Sequence, residues 1–169
     1  LVRAGLIPAL RRGKLPGAGV RWKVAVPGRG VSTPILYGEH LFLTTAVPTD
    51  PDSAPAPAQA DADRGSSSGP PEEQSFELHC LDRKTGVTRW KAVARVATPH
   101  EGFHKSYGSY ASASPLTDGK RVYASFGSQG IFAYGLDGKL AWSFDPGVKL
   151  AMRNSFGEGL APVLAGRAL

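Results

Sequence analysis

The chain has 169 residues, 41% apolar and 20% charged, with a formal charge of +6, a balance that suits a soluble globular protein. No apolar run approaches the ~18 residues of a membrane span. A single cysteine, Cys80, excludes an internal disulfide and leaves the redox compartment open. The charge is uneven: residues 1–38 carry seven basic side chains and no acid, whereas 48–74 carry six acids and one base, Arg64. No aromatic-basic platform accompanies the basic stretch, so it reads as solvated surface rather than a nucleic-acid site.

Residues 1–19 lack strand alternation and read as an irregular leader. A short strand is predicted over 21–26. Strands over 31–36 and 40–46 follow, joined at Tyr37-Gly38-Glu39. Residues 48–74 hold no aromatic and no aliphatic residue larger than Ala, and are rich in Pro, Ala, Asp and Ser. They cannot bury enough surface to order themselves and read as a disordered insertion. Strands over 75–81 and 87–94 are joined at Asp82 to Gly86. Strands over 111–116 and 121–126 meet at Asp118-Gly119, and those over 130–135 and 139–144 at Asp137-Gly138. Asp-Gly between apolar runs signals a hairpin, because both turn positions tolerate positive φ.

These strands repeat as a unit. STPILYGEHLFLTTA (32–46) with FELHCLDRKTGVTRW (76–90) matches SPLTDGKRVYASFGSQGIFAYGLDGKLAW (114–142), and APVLAGRAL (161–169) begins another copy. Each copy ends in a Trp a few residues after a Gly turn: Gly86 then Trp90, Gly138 then Trp142. Trp22 looks like the tail of an earlier copy. HLFLTTA and YASF have apolar residues on both faces, so both faces are covered, as in sheets stacked around an axis. The expected architecture is an all-β partial propeller of four-stranded antiparallel blades: two whole and parts of two more. The chain begins at Leu1 and stops inside a copy, so it reads as a piece of a longer protein whose missing blades complete the ring.

The pattern DRKTGVTRW, with Asp82, Thr85, Gly86 and Trp90, resembles the repeat of the PQQ-like (pyrrolo-quinoline quinone) β-propellers. In that family the Trp ending the outer strand packs on the neighbouring blade; Trp142 and Trp22 hold the matching places. SYASASPLTDGKRVYASFG and RNSFGEGLAPVLAGRAL are similar to stretches of the bacterial group that includes the outer-membrane-assembly propeller lipoprotein. The resemblance covers about residues 20–169 outside the insertion. It implies a seven- or eight-bladed ring, exported to the periplasm or cell envelope.

Strand parity puts 48–74, 95–110 and 145–157 at one end of the sheets and the tight turns at the other. Binding residues favour long loops on a rigid scaffold. His100, His104, Lys105, Tyr107, Tyr110 and Arg153 are therefore the expected binding face. HEGFH (100–104) matches H-E-x-x-H, in which two His on one helical face hold zinc. Pro99, Gly102 and the flanking strands argue against a helix here, so a polar loop is the preferred reading of His100 and His104. Arg153, Asn154 and Glu158 form a second polar group. Asn and Glu ligate calcium and Arg pairs with carboxylates or quinone oxygens, but a calcium-loop pattern is absent, and a hydrogen-bonded loop network is preferred. Cys80 alternates with Phe76 and Leu78 and reads as a buried apolar residue, not a nucleophile. Ser106, Ser109 and Ser112 lack a G-x-S-x-G setting.

Two functions remain open. The first is a non-catalytic exported scaffold that holds a protein or polymer on its loop face, with no cofactor. The second, implied by the resemblance, is a fragment of a quinone-dependent alcohol or sugar dehydrogenase using pyrrolo-quinoline quinone with calcium. The family's dehydrogenases pair two Cys and place a Trp beneath the quinone. Here Cys80 is alone and all three Trp fall on outer-strand positions.

Overall fold

In a computed structural model, the structure describes residues 19–53, 71–152 and 157–165. They form two four-stranded antiparallel sheets, each made from consecutive strands. The first contains β1 (Ile35–Tyr37), β2 (His40–Pro48), β3 (Gln74–Asp82) and β4 (Thr88–Ala97). The second contains β5 (Leu116–Thr117), β6 (Arg121–Ser125), β7 (Ile131–Gly135) and β8 (Leu140–Phe144). The expected all-β architecture of paired four-stranded sheets is present. Two sheets do not close into a ring.

Local chemistry explains each hairpin. At the β3–β4 turn Asp82 Oδ1 accepts the amides of Lys84 and Thr85, both at 2.9 Å, and the Thr85 hydroxyl at 3.1 Å. The Gly86 amide returns to the Asp82 carbonyl at 2.8 Å, with Gly86 at φ +76°. Asp118 and Asp137 accept the amides two residues on, at 2.8 and 3.2 Å. A short Asp side chain bonding the backbone ahead of it favours a turn over strand continuation.

The leading strands are shorter than the alternation predicts. β1 covers only the end of 31–36 and runs on to Tyr37, and β5 keeps only Leu116 of 111–116. Pro34 and Pro115 bring no N–H to the ladder. Upstream, Arg29 pairs with Ala46 as an isolated bridge. The Ser- and Ala-rich stretches bond across from one sheet to the other: Val31 N to Ala111 O at 3.3 Å, and Thr33 N to Ser114 Oγ at 2.9 Å. Residues 21–26 form no strand, because no partner strand lies beside them among the described residues and a β-ladder needs two. Nor does the start of the last copy at Ala161, apart from a bridge at Ala165. The insertion is tied at its base, where Thr49 N donates to Glu73 O at 3.1 Å and Thr49 Oγ1 to Glu73 Oε1 at 2.9 Å. Pro51–Ser53 makes one 3-10 turn. Residues 54–70 lie outside the described residues, as does the leader up to residue 18.

The core lies between the sheets. Phe42, Ala46, Phe76, Leu78 and Cys80 of the first meet Val122, Ala124, Phe132 and Tyr134 of the second, and Phe126 joins them just beyond β6. Phe76 and Phe126 meet edge to face at 5.3 Å between ring centroids. Cys80 is fully buried and burial pushes its thiol up to about 11, so it is an inert core residue as the sequence suggested.

Trp90 joins the two sheets. It lies 5.9 Å from Phe42 of its own sheet and 6.5 Å from Tyr134 of the next, and its Nε1 donates to Leu136 O at 2.9 Å. Its ring covers Gly138 closely enough that a Cβ there would sit 2.8 Å from Trp90 Cδ2. Trp22 repeats the arrangement one step earlier: Nε1 donates to Arg83 O at 3.0 Å, and the ring covers Gly86. Trp142 stands where Trp90 stands. It packs inward on Tyr123 at 5.9 Å and is 37% exposed on its other side.

Gly138→Ala tests this contact. Gly138 has φ +85°, so the substitution adds backbone strain to a clash with a ring that cannot retreat. The expected loss is about 2 kcal/mol in urea unfolding. Gly38→Ala, at φ +56° with open space around its Cβ, carries the strain alone and should lose about 1 kcal/mol. Equal losses would mean that the indole does not press on Gly138.

Candidate functional site

Antiparallel order sends the four tight turns to one end of the sheets and the longer connections to the other. At that second end the segments 95–110, 126–130 and 145–152 meet, with Glu158 beside them. Arg95 begins the convergence, with Nη1 donating to Gln129 O at 3.0 Å and to Asp145 Oδ2 at 2.8 Å. The Gly147 amide and the Arg95 guanidinium hold the Asp145 carboxyl below its ordinary range. Ser128 Oγ accepts the Leu150 amide at 2.7 Å, and Ser128 N donates to Glu158 Oε2 at 2.5 Å. Gly127, at φ +58°, leaves room for that carboxylate, since a Cβ there would overlap Glu158 Oε2.

Two hollows result. One is an open cleft of about 310 Å³ between Arg95, Ala97 and Thr98 on one side and Ser128, Asp145, Val148 and Lys149 on the other, with His100 at its edge. The second is a small cavity of about 20 Å³ that shares His100 and Gln129 with it. Phe76, Tyr110 and Phe126 form its apolar wall, and His100, Glu101 and Glu158 its polar one. His100 Nε2 donates to Leu150 O at 2.8 Å and lies 3.9 Å from Glu158 Oε1. Glu101 Oε2 accepts the Met152 amide at 3.2 Å, while its Oε1 is buried with no hydrogen-bond partner.

The structure divides the sequence-predicted loop residues. His100 and Tyr110 line the small cavity. His104 stacks on Tyr107 at 4.7 Å, and its Nδ1 accepts the Ser106 amide at 3.2 Å. Tyr107 is 71% exposed, and Lys105 is also exposed, its carbonyl accepting from Arg29. Tyr110 turns inward onto the Phe103 edge at 4.7 Å. HEGFH is not helical, and His100 meets Glu158 rather than His104. Arg153 and Asn154 lie outside the described residues, so Glu158 alone of that trio is placed. Sequence reasoning missed Arg95, Ser128, Gln129, Asp145 and Lys149. No local motif marks them, and only the stacking of the sheets brings their loops together.

No protein-family model matches the chain, and it matches no curated protein.

Proposed function

We propose that this chain is part of an exported PQQ-like β-propeller that works as a binding scaffold, holding a protein or polymer partner at the loop end of its sheets. What carries the reading is the contrast between the two ends. One end is closed by four tight turns; the other holds an open, mixed-charge cleft of about 310 Å³ on loops fixed to a rigid stack. That volume is at the low end for ligand pockets. It suits one or two residues of a peptide, or a sugar of a polymer, with the rest of the partner lying across the surface. Arg95 and Asp145 neutralise each other, which leaves Lys149 to attract an acidic group.

The ring itself is proposed from repetition. Phe42, Cys80 and Trp90 form one cross-strand row, and Tyr123, Ala133 and Trp142 form the same row one sheet later. Trp22 and Trp90 each rest on the Gly turn of the following sheet, so Trp142 with its open face is suited to a third.

A photo-crosslinking residue at Val148, inside the cleft, should give discrete adducts in cell-envelope extract. One at Lys120, on the turn end, should give none. Lys149→Glu should remove the Val148 adducts. Adducts at both ends, or at neither, would overturn the reading.

A further inference from the structure

We propose that His100, Glu101 and Glu158 hold a divalent first-row metal ion that pins the two long loops together. Their ligating atoms all lie within 4.8 Å of one another. They come from two connections that share no strand pairing, so the ion would bridge loops from successive sheets.

The first argument is charge. Two carboxylates share one small, partly apolar cavity, and no Lys or Arg pairs with either among the described residues. Carboxylates drawn partly out of water are paired with a cationic group or coordinate a metal. Glu101 Oε1 is the sharper sign, because a buried carboxylate oxygen without a donor is costly unless something absent from the protein's own groups meets it.

The second argument is geometry. Bonds of about 2.1 Å to a tetrahedral ion place its ligand atoms about 3.4 Å apart. His100 Nε2 stands 2.8 Å from Leu150 O and 3.9 Å from Glu158 Oε1, one on either side of that spacing. An ion would take the place of the Nε2 proton, which moves to Nδ1 through water, so the ring stays neutral. The Leu150 carbonyl then becomes a fourth ligand. Glu158 is already oriented by Ser128 N on Oε2, and Glu101 by Met152 N on Oε2, which leaves an Oε1 on each facing inward. Amide donors that aim ligand carboxylates are typical support for a metal site. The cavity, about 20 Å³, holds one water or ion and nothing larger. One imidazole with carboxylate and carbonyl oxygens suits Zn²⁺ or Mn²⁺ better than Ca²⁺, which prefers all-oxygen sites.

The test is calorimetric titration of the chelator-treated full chain with ZnCl₂, MnCl₂ and CaCl₂. One equivalent of Zn²⁺ or Mn²⁺ should bind, more tightly than Ca²⁺, and should raise the melting temperature. His100→Ala should weaken binding at least about 100-fold. Glu158 also anchors Ser128, so its loss could disturb the loop. Glu101→Gln, which keeps the acceptor for Met152 N, is the cleaner variant and should weaken binding at least about 10-fold. His104→Ala should bind as the parent does. Absence of stoichiometric binding by either ion overturns the proposal. So does binding that survives His100→Ala and Glu101→Gln, or that His104→Ala removes. The crosslinking at Val148 does not depend on this outcome, so the two readings fail separately.

Discussion

Trp90→Ala is expected to lower the unfolding free energy by about 3–5 kcal/mol, the range for deleting a large packed aromatic side chain. The indole touches both sheets at once, through Phe42 on one side and Tyr134 and Gly138 on the other. Its removal leaves a hole that neither sheet can fill, because each is braced by its own hydrogen-bonded ladder. The Leu136 carbonyl loses its donor as well. Trp90→Phe keeps most of the packing and should lose about 1 kcal/mol beyond the reduced area, the usual net worth of one hydrogen bond. Trp142→Ala is the control. That residue packs on Tyr123 and is 37% exposed, so about 1 kcal/mol is expected there. Urea unfolding of the three variants checks the order. A Trp142→Ala loss as large as that of Trp90→Ala would mean that the indoles stiffen their own sheets and do not join neighbours.

The two parts of the Trp–Gly joint were legible separately: Gly86 and Gly138 sit in turns that Asp82 and Asp137 announce, and a Trp follows each turn. That Trp90 rests on Gly138 of the next copy, and not on its own Gly86, was not legible, because the two lie in different sheets. The leading strands were less legible. Alternation alone extends 31–36 and 111–116, but Pro34 and Pro115 withhold donors and small Ser and Ala side chains leave the backbone free to bond across sheets. The candidate site was legible only in pieces. His100 and Glu158 stood out as polar residues on long connections and Glu101 only as a member of HEGFH, yet linear spacing grouped His100 with His104 and Glu158 with Arg153 and Asn154. What brings His100 to Glu158 is the offset between two stacked sheets, fixed by Phe76 on Phe126 and Trp90 on Tyr134. No window of sequence contains both sides of that offset. The buried row on the other face of the first sheet was hidden for the same reason: nothing local marks Glu77 as buried until β2 and β4 are placed beside it.

That row carries the second large prediction. Glu77 and His79 are 4% and 2% exposed, on the face of β3 opposite the core. Thr45 lies across from Glu77 on β2, and Lys91 across from His79 on β4. Glu77 Oε1 accepts Lys91 Nζ at 3.1 Å and Ser75 Oγ at 3.2 Å, and Oε2 lies 3.0 Å from His79 Nε2. The Thr45 hydroxyl is 3.0 Å from the same nitrogen. Glu77→Ala removes the acceptor for Lys91 and Ser75 and the carboxylate beside His79, and should lose about 3 kcal/mol, the low end for breaking a buried pair, because the half-exposed Lys91 can turn to water. Replacing both Glu77 and His79 by Leu should recover most of that loss, since two apolar side chains then fill the buried site and the half-exposed Lys91 can turn to water. Burial lowers the His79 pKa from its ordinary 6.5, outweighing the opposing pull of Glu77. In the window below pH 6.5 the unfolded chain therefore binds the extra proton, and stability falls as pH drops. The surface carboxylates Glu39, Asp82, Asp118, Asp137 and Asp145 are also held low, but their ordinary values are 3.8–4.5, so their contribution is lost only in more acid solution. A decline between pH 7 and 5 thus belongs to His79 among these groups. Urea unfolding across that range should show it in the parent and a flatter profile in His79→Gln. An unchanged slope in the variant would place His79's titration outside the folding equilibrium and leave Glu77 paired with Lys91 alone.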